Sequence, residues 1–288
     1  MKIKKILFWV LIIILLIVLI VGTVILVKST MLNTPLFPSA NEDYRTDDPD
    51  NPLNYVISAY NDVAGFPIFK PDGVINVYTL YSNKKILFTE YSNKIGQIYE
   101  FDDKFVIVFR GTMFEYEEYV DGDLRYYTYP GTNIKVHKGF YNYYSTVKDQ
   151  IMKVINNTTK TINITGHSLG ASLSLLLTYD IKGMDPTVTL FGCPKTGNKD
   201  FVDSINGVNL KNIVNYFDIV PEAPEKLNQM YAVQPIYIFG IEQDSDAANH
   251  SLAVYYEGMT LMKLLQMGEP PSNGSLLGGG IPKKKFLF

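Results

Sequence analysis

The chain has little cysteine, little histidine and no excess of positive charge, and each shortage narrows what it can be. Cys193 is the only cysteine in 288 residues, which excludes a disulfide scaffold and a zinc site built on several thiolates. There are three histidines, His137, His167 and His250, so each imidazole can be accounted for singly. The 26 Lys and Arg stand against 29 Asp and Glu, a formal charge of −3. Residues 1–28 hold four lysines (Lys2, Lys4, Lys5, Lys28) and no acid, so the remaining 260 residues carry 22 basic and 29 acidic side chains, a net of −7. That balance argues against a nucleic-acid partner, because phosphate binding rests on Lys and Arg neutralising backbone charge. No internal repeat is visible. About 260 residues suffice for one large single-core domain and fall short of two.

What is present begins with an apolar run. Residues 6–27 read ILFWVLIIILLIVLIVGTVILV, 22 positions without a charge. As a helix rising about 1.5 Å per residue they reach roughly 33 Å, enough for a bilayer core of about 30 Å. A cleaved signal peptide has a shorter apolar stretch, about 7–15 residues, ending at small residues. Here the run is longer and no such site follows, so the segment reads as an uncleaved transmembrane anchor. Lys2, Lys4 and Lys5 crowd its N-terminal flank. The positive-inside bias then keeps residues 1–5 in the cytoplasm and sends the rest of the chain to the extracytoplasmic side.

Residues 29–50 mix Pro, Ser, Asn and Asp without a period and read as a linker. A domain is expected over 51–268. Its apolar spacing predicts a helix over Pro52–Ala64, then short strands at 75–81, 86–91, 96–101 and 105–109, then a helix over 140–155. After that, strands and helices alternate: strand 161–165, helix 168–181, strand Thr187–Phe191, helix 199–205, strands 212–217 and Ile236–Phe239, and helix 252–267. Such alternation predicts an α/β domain with a largely parallel sheet. Residues 269–288, ending in GGGIPKKKFLF, read as a flexible basic-apolar tail.

The strongest local signal is ITGHSLGASLS, residues 164–174. Gly166, Ser168 and Gly170 form G-x-S-x-G between an apolar β-run and a helical run, the context in which a serine is held on a sharp elbow above a sheet. A serine hydroxyl needs a base to attack, and histidine is the usual one. His167 abuts the serine and points elsewhere from the elbow, so packing or hydrogen bonding is its better reading. His137 lies upstream, whereas this class of site runs serine, then acid, then histidine. His250 lies downstream and is the expected base. Asp218, directly after an apolar strand, is the expected acid, while Asp200, Asp203, Asp244 and Asp246 read as surface positions. Donors for an oxyanion are expected from the Leu169 backbone and from the backbone and hydroxyl of Thr112, at the end of the FVIVFRGT strand.

VFRGT (108–112), VHKGF (136–140), GHSLGA (166–171), FGCPKTGN (191–198), NYFDIVP (215–221) and the late His250 occur in the order found in class 3 lipases. The chain resembles that family, the secreted fungal triacylglycerol lipases and related α/β-hydrolases, over roughly residues 50–265. The resemblance implies an α/β-hydrolase fold, here preceded by one transmembrane helix. It also implies a Ser168–His250–Asp218 triad and an oxyanion hole at Thr112 and Leu169. His137 becomes a structural motif residue. Lipid or ester is the implied substrate, with acylglycerols first and phospholipids or small esters as alternatives, and no metal or organic cofactor is called for. The rival of another class is a catalytically silent interaction module.

Residues 113–121 suggest how substrate would enter. Met113, Tyr116 and Val120 fall at helical spacing with Phe114 and Tyr119 beside them, and the acids Glu117, Glu118 and Asp121 face the other way. In the resembling lipases this place holds a lid over the serine. The membrane reading is the one that decides where the domain works. A reporter fused after Phe288 should be active outside the cytoplasm, and cytosolic activity of that fusion would overturn the orientation.

Overall fold

Asn51 and Pro52 start the first helix of the described residues. The Asn51 side-chain oxygen accepts from the Leu53 N–H at 2.9 Å, and Pro52 gives up an N–H that would have no helical partner. The helix they start, α1 (Pro52–Ala64), ends at Gly65 in the left-handed region, φ 81°. Leu53 to Asn61 are all buried, so α1 carries Ser58 and Tyr60 into the core along with its apolar residues. The computed structural model describes residues 51–86, 89–113, 125–224, 229–234 and 236–264. The expected anchor, linker and tail lie outside these residues, as do Phe114, Tyr116, Tyr119 and Val120. Among the described residues no helix is long and apolar enough to cross a membrane.

The runs expected as separate strands at 75–81, 86–91 and 96–101 are two long strands. β1 (Asn76–Ile86) pairs antiparallel with β2 (Thr89–Glu100), with a register shift between Leu80 and Tyr81. The polar stretch between the apolar runs does not break them, because the ladder bonds backbone groups whatever the side chains are. β3 (Lys104–Phe109) pairs antiparallel with β2. A small hairpin that the apolar pattern did not announce follows, β4 (Tyr126–Thr128) with β5 (Lys135–His137). The helix expected over 140–155 is two, α2 (Lys138–Tyr144) and α3 (Lys148–Ile155). Between them Thr146 and Val147 donate back three residues, to Tyr143 and Tyr144. The Thr146 hydroxyl lies 2.7 Å from the Tyr143 carbonyl, which tightens the turn. Val147, Ile151 and Ile155 are nonetheless buried with Tyr143 and Tyr144, which is why one period runs through both helices.

β6 (Thr161–His167), β7 (Thr187–Phe191), β8 (Asn209–Asn215) and β9 (Ile236–Phe239) continue the sheet from β3, each parallel to the last. The order is β1-β2-β3-β6-β7-β8-β9, antiparallel at one end and parallel through the middle. β8 starts and stops earlier than the expected 212–217. The parallel strands β3 and β6 are almost wholly buried, as strands covered on both faces are. Alternation along β6 assigns the layers. Gly166 faces α4 (Leu169–Ile181), while its neighbour His167 faces the opposite side, against Tyr60 of α1 and Tyr255 of α7 (Leu252–Leu264). Between these come the short helices α5 (Lys199–Ser204) and α6 (Asp246–Asn249).

The contact that sets the site is the one between α4 and the sheet. A Cβ on Gly170 would lie 2.4 Å from the carbonyl oxygens of both Phe109 and Arg110, and one on Gly166 would lie 2.3 Å from the Gly170 oxygen. Both obstacles are backbone, which cannot rotate away. Gly170→Ala should therefore force the helix off β3 and cost about 1–3 kcal/mol. The check is the midpoint of urea unfolding; a midpoint equal to that of the parent chain would show that the approach is looser than described.

Candidate active site

Ser168 sits between β6 and α4 with φ 58° and ψ −127°, a conformation that side chains other than glycine rarely adopt. It costs about 1–3 kcal/mol and persists only where the surroundings enforce it. The surroundings here are the α4–sheet contact and the bond from Ser168 N–H to the Phe191 carbonyl at 3.0 Å. The elbow turns the serine out at the C-terminal end of the parallel strands. Gly111 lies against it, since a Cβ there would come 2.9 Å from Ser168 Cβ. Thr112 is the next residue along the chain, and Leu169 is the first residue of α4. Met113, expected in the cover, is buried at 1% exposure.

Asp218 and His250, 32 residues apart in sequence, are joined by a bond of 2.6 Å between His250 Nδ1 and Asp218 Oδ2. Asp218 is buried, and its charge is met by two further donors: Tyr255 Oη–H on Oδ2 at 2.6 Å and Val220 N–H on Oδ1 at 2.9 Å. Burial, with the Asp218 charge beside it, pushes the Tyr255 phenol well above its ordinary pKa, so it stays a donor. Gly192, with φ 55°, leaves room for the pair; a Cβ there would come 2.8 Å from Tyr255 Oη, 2.9 Å from His250 Cε1 and 3.0 Å from Asp218 Oδ2. His250 Nε2 is buried and has no hydrogen bond, so the Ser168 hydroxyl does not bond it in this geometry. Catalytic bonds of this type commonly tighten only once substrate is bound.

The loop carrying His250 is pinned by Asn215 at the end of β8. Its amide donates to the carbonyls of Ile241 and Asn249 and accepts from Ile241 N–H. Ser245 caps α6, and His250 follows as the C-cap residue. His167 behaves as its sequence position suggested. It is buried, bonds Tyr60 and the His250 carbonyl at 2.9 Å each, and stacks on the His250 ring at 4.5 Å between centroids. His137 caps α2, its Nδ1 accepting from Phe140 N–H at 3.3 Å. Tyr60, Asn215 and Tyr255 were not singled out from sequence. A tyrosine or asparagine in an apolar run looks like any other core residue until its partner is known.

A shallow cavity of about 140 Å³ also opens on the sheet, between α1 and β7. It is lined by Asn163, Thr165, Thr187 and Thr189 toward the starts of the strands, and includes none of Ser168, Asp218 and His250.

The mostly parallel sheet and the strand–turn–helix elbow at Ser168 are those of an α/β-hydrolase fold. Residues 106–228 match the family model for lipase (class 3). The chain is similar to a secreted mono- and diacylglycerol lipase of Malassezia globosa, 38% identical over 120 residues, 37% of this chain and 39% of the relative. A chloroplastic phospholipase A1 of Arabidopsis thaliana is 28% identical over 161 residues, 41% of this chain and 30% of that one. The chain thus spans well under half the length of these curated relatives. The crystal structure of a mono- and diacylglycerol lipase from Aspergillus oryzae superposes with a TM-score of 0.52 at 20% identity, covering 70% of this chain and 83% of that one. At that identity the likeness is one of fold.

The buried imidazole beside the serine has a consequence for stability. Desolvation, and then the proximity of His250, hold His167 well below the ordinary histidine value of 6.5. Below pH 6.5 the unfolded chain takes up a proton at this position and the folded chain does not, so stability falls as pH falls through 6.5. The slope is at most about 1.4 kcal/mol per pH unit. His167→Gln, which can keep both hydrogen bonds, should remove that part of the slope. Unfolding free energies at pH 7.5 and 5.5 for the two chains would check it; equal slopes would mean that His167 ionises in the folded state.

Proposed function

We propose that the chain is a serine carboxylic-ester hydrolase of the lipase type, acting on acylglycerols. The observation that carries this reading is the bond between His250 and the buried Asp218. The His250 Nδ1 is committed to the carboxylate at 2.6 Å, and its Nε2 is left as an unbonded acceptor in the cluster that holds the elbow serine. In this reading Ser168 Oγ attacks the ester carbonyl while His250 Nε2 takes its proton. The tetrahedral oxyanion is received by the backbone N–H of Leu169 and by Thr112, a contribution of about 3–4 kcal/mol per donor. His250 returns the proton to the leaving alcohol, and water repeats the cycle on the acyl-enzyme. Asp218 holds the imidazole in the tautomer with its proton on Nδ1 and stabilises the imidazolium.

The acylglycerol assignment draws on the fungal relatives, and the alternative of a phospholipid ester draws on the plant one. The segment 6–27 is proposed as the tether that holds the domain at a membrane surface on the extracytoplasmic side, where it would raise the local concentration of lipid. Residues 113–120 are proposed as the cover of the site.

Ser168→Ala should lower ester hydrolysis at least a thousand-fold and abolish labelling by a fluorophosphonate, with thermal unfolding nearly unchanged. Turnover at the parent rate in that variant would end the mechanism, and the absence of labelling in the parent chain would favour the silent module. Parallel assays on long-chain acylglycerol, phosphatidylcholine and short-chain nitrophenyl esters decide the substrate. The expected pattern is highest activity on acylglycerol, with a rise as the ester passes from monomers to droplets. Highest activity on phosphatidylcholine would transfer the assignment to a phospholipase.

A further inference from the structure

Three hydrogen bonds run in series across the site. Gly111 N lies 2.7 Å from Tyr60 Oη, Tyr60 Oη lies 2.9 Å from His167 Nδ1, and His167 Nε2 lies 2.9 Å from the His250 carbonyl. Their directions can be assigned from the ends inward. A carbonyl only accepts, so His167 carries its proton on Nε2. The ring is buried and neutral, so Nδ1 is an acceptor and the Tyr60 hydroxyl donates to it. Tyr60 Oη is then free to accept from the Gly111 N–H. The series has one polarity from the loop of Thr112 to the residue bearing the proposed base.

The same loop is gripped from its other side. Arg110, fully buried, donates from Nη1 to the Gly111 carbonyl at 2.6 Å and from Nε to the Lys94 carbonyl at 2.8 Å. The Gly111 carbonyl and the Thr112 N–H belong to one planar trans peptide and point in opposite directions. Holding that carbonyl toward Arg110 therefore aims the Thr112 N–H away from Arg110, and Tyr60 fixes the preceding N–H. Gly111 has to be glycine for this, since a Cβ would lie 2.2 Å from Tyr60 Oη.

We propose that Tyr60 is a positioning residue. Its hydroxyl, acting through His167, sets the Gly111–Thr112 peptide at a fixed place relative to His250, so that oxyanion donor and base are carried as one unit. The proposal rests on the triad reading above. In this role Tyr60 acts through the peptide and the imidazole that its hydroxyl bonds. What it controls is the distance between two groups that sit on different elements, α1 supplying the joint between the β3 loop and the α6 loop. A displacement of about 1 Å at such a donor can lower turnover a hundred-fold.

The test is Tyr60→Phe, which removes one oxygen from a residue that is 9% exposed and keeps its ring packing. Parent, Tyr60→Phe, Thr112→Ala and the double variant would be assayed on a soluble short-chain nitrophenyl ester. Each rate is to be divided by the sites titrated with fluorophosphonate, so that a misfolded fraction does not count. The expected result is a 10- to 100-fold loss of kcat for Tyr60→Phe with KM within two-fold. Combined with Thr112→Ala, which removes the hydroxyl carried on the peptide that Tyr60 sets, the loss should be smaller than the product of the two single losses, because both act on the same end of the oxyanion hole. A kcat per titrated site within two-fold of the parent overturns the proposal. So does a loss that multiplies fully with that of Thr112→Ala, which would mark Tyr60 as structural only. Ser168→Ala assayed alongside separates the two claims. If it retains activity the triad reading falls, and if it is inactive while Tyr60→Phe is normal only the positioning role falls.

Discussion

The site depends on how closely the first turn of α4 approaches the sheet. Gly170 is pressed onto the ends of Phe109 and Arg110, and Gly166 onto Gly170. No side chain fits in either contact. The approach bends the chain at Ser168 into a strained conformation, and neighbouring bonds hold it there, Ser168 N–H to Phe191 and the Ser174 hydroxyl to the Gly170 carbonyl. Because β3, β6 and β7 are hydrogen-bonded neighbours, the loops leaving them are brought beside the serine by the sheet itself. The Gly111–Thr112 loop arrives from one side and Gly192 from the other.

A buried carboxylate is costly unless its lone pairs are met. Around Asp218 they are, by His250, Tyr255 and Val220. The Tyr255 hydroxyl also receives the Asn215 N–H, so the helix that follows the base and the strand that precedes the acid are tied together at the same atom. With Asp218 satisfied, His250 Nε2 is the atom of the pair that is left without a bond. Chemistry is thereby directed to one nitrogen. His167, stacked on the same ring and kept neutral by burial, adds no second charge next to the imidazole that the proposed mechanism makes positive.

Much of the fold was legible because its elements have simple periods. Pro52–Ala64, Thr187–Phe191 and Ile236–Phe239 appear where the apolar spacing put them, and the parallel sheet follows from the alternation of strands and helices. The misreadings fall where backbone bonding overrides side-chain preference. The β1–β2 ladder runs through polar residues, the turn at Ser145–Val147 interrupts an unbroken apolar period, and the short β4–β5 hairpin lacks a period of its own. The order of Ser168, Asp218 and His250 along the chain pointed to these three, and the fold bonds the last two to each other. The order cannot reveal Tyr255 or Asn215, since what distinguishes them is a partner 37 or 26 residues away.

The division between the two kinds of information has a physical basis. Sequence alone determined the elbow, because G-x-S-x-G between a strand and a helix encodes a local steric requirement that near neighbours in the chain state in full. It also determined the surplus of acid over base outside residues 1–28 and the apolar length of residues 6–27, which are sums over composition. Tertiary structure decided which polar core residues matter. Ser58 and Tyr60 lie two positions apart on the same buried helix, yet one bonds Tyr99 within the core and the other joins the loop of Gly111 to His167. Nothing in their local sequence separates them. The difference arises when α1 is laid across β6, since a hydrogen bond between distant residues exists only after the chain has closed the loop between them.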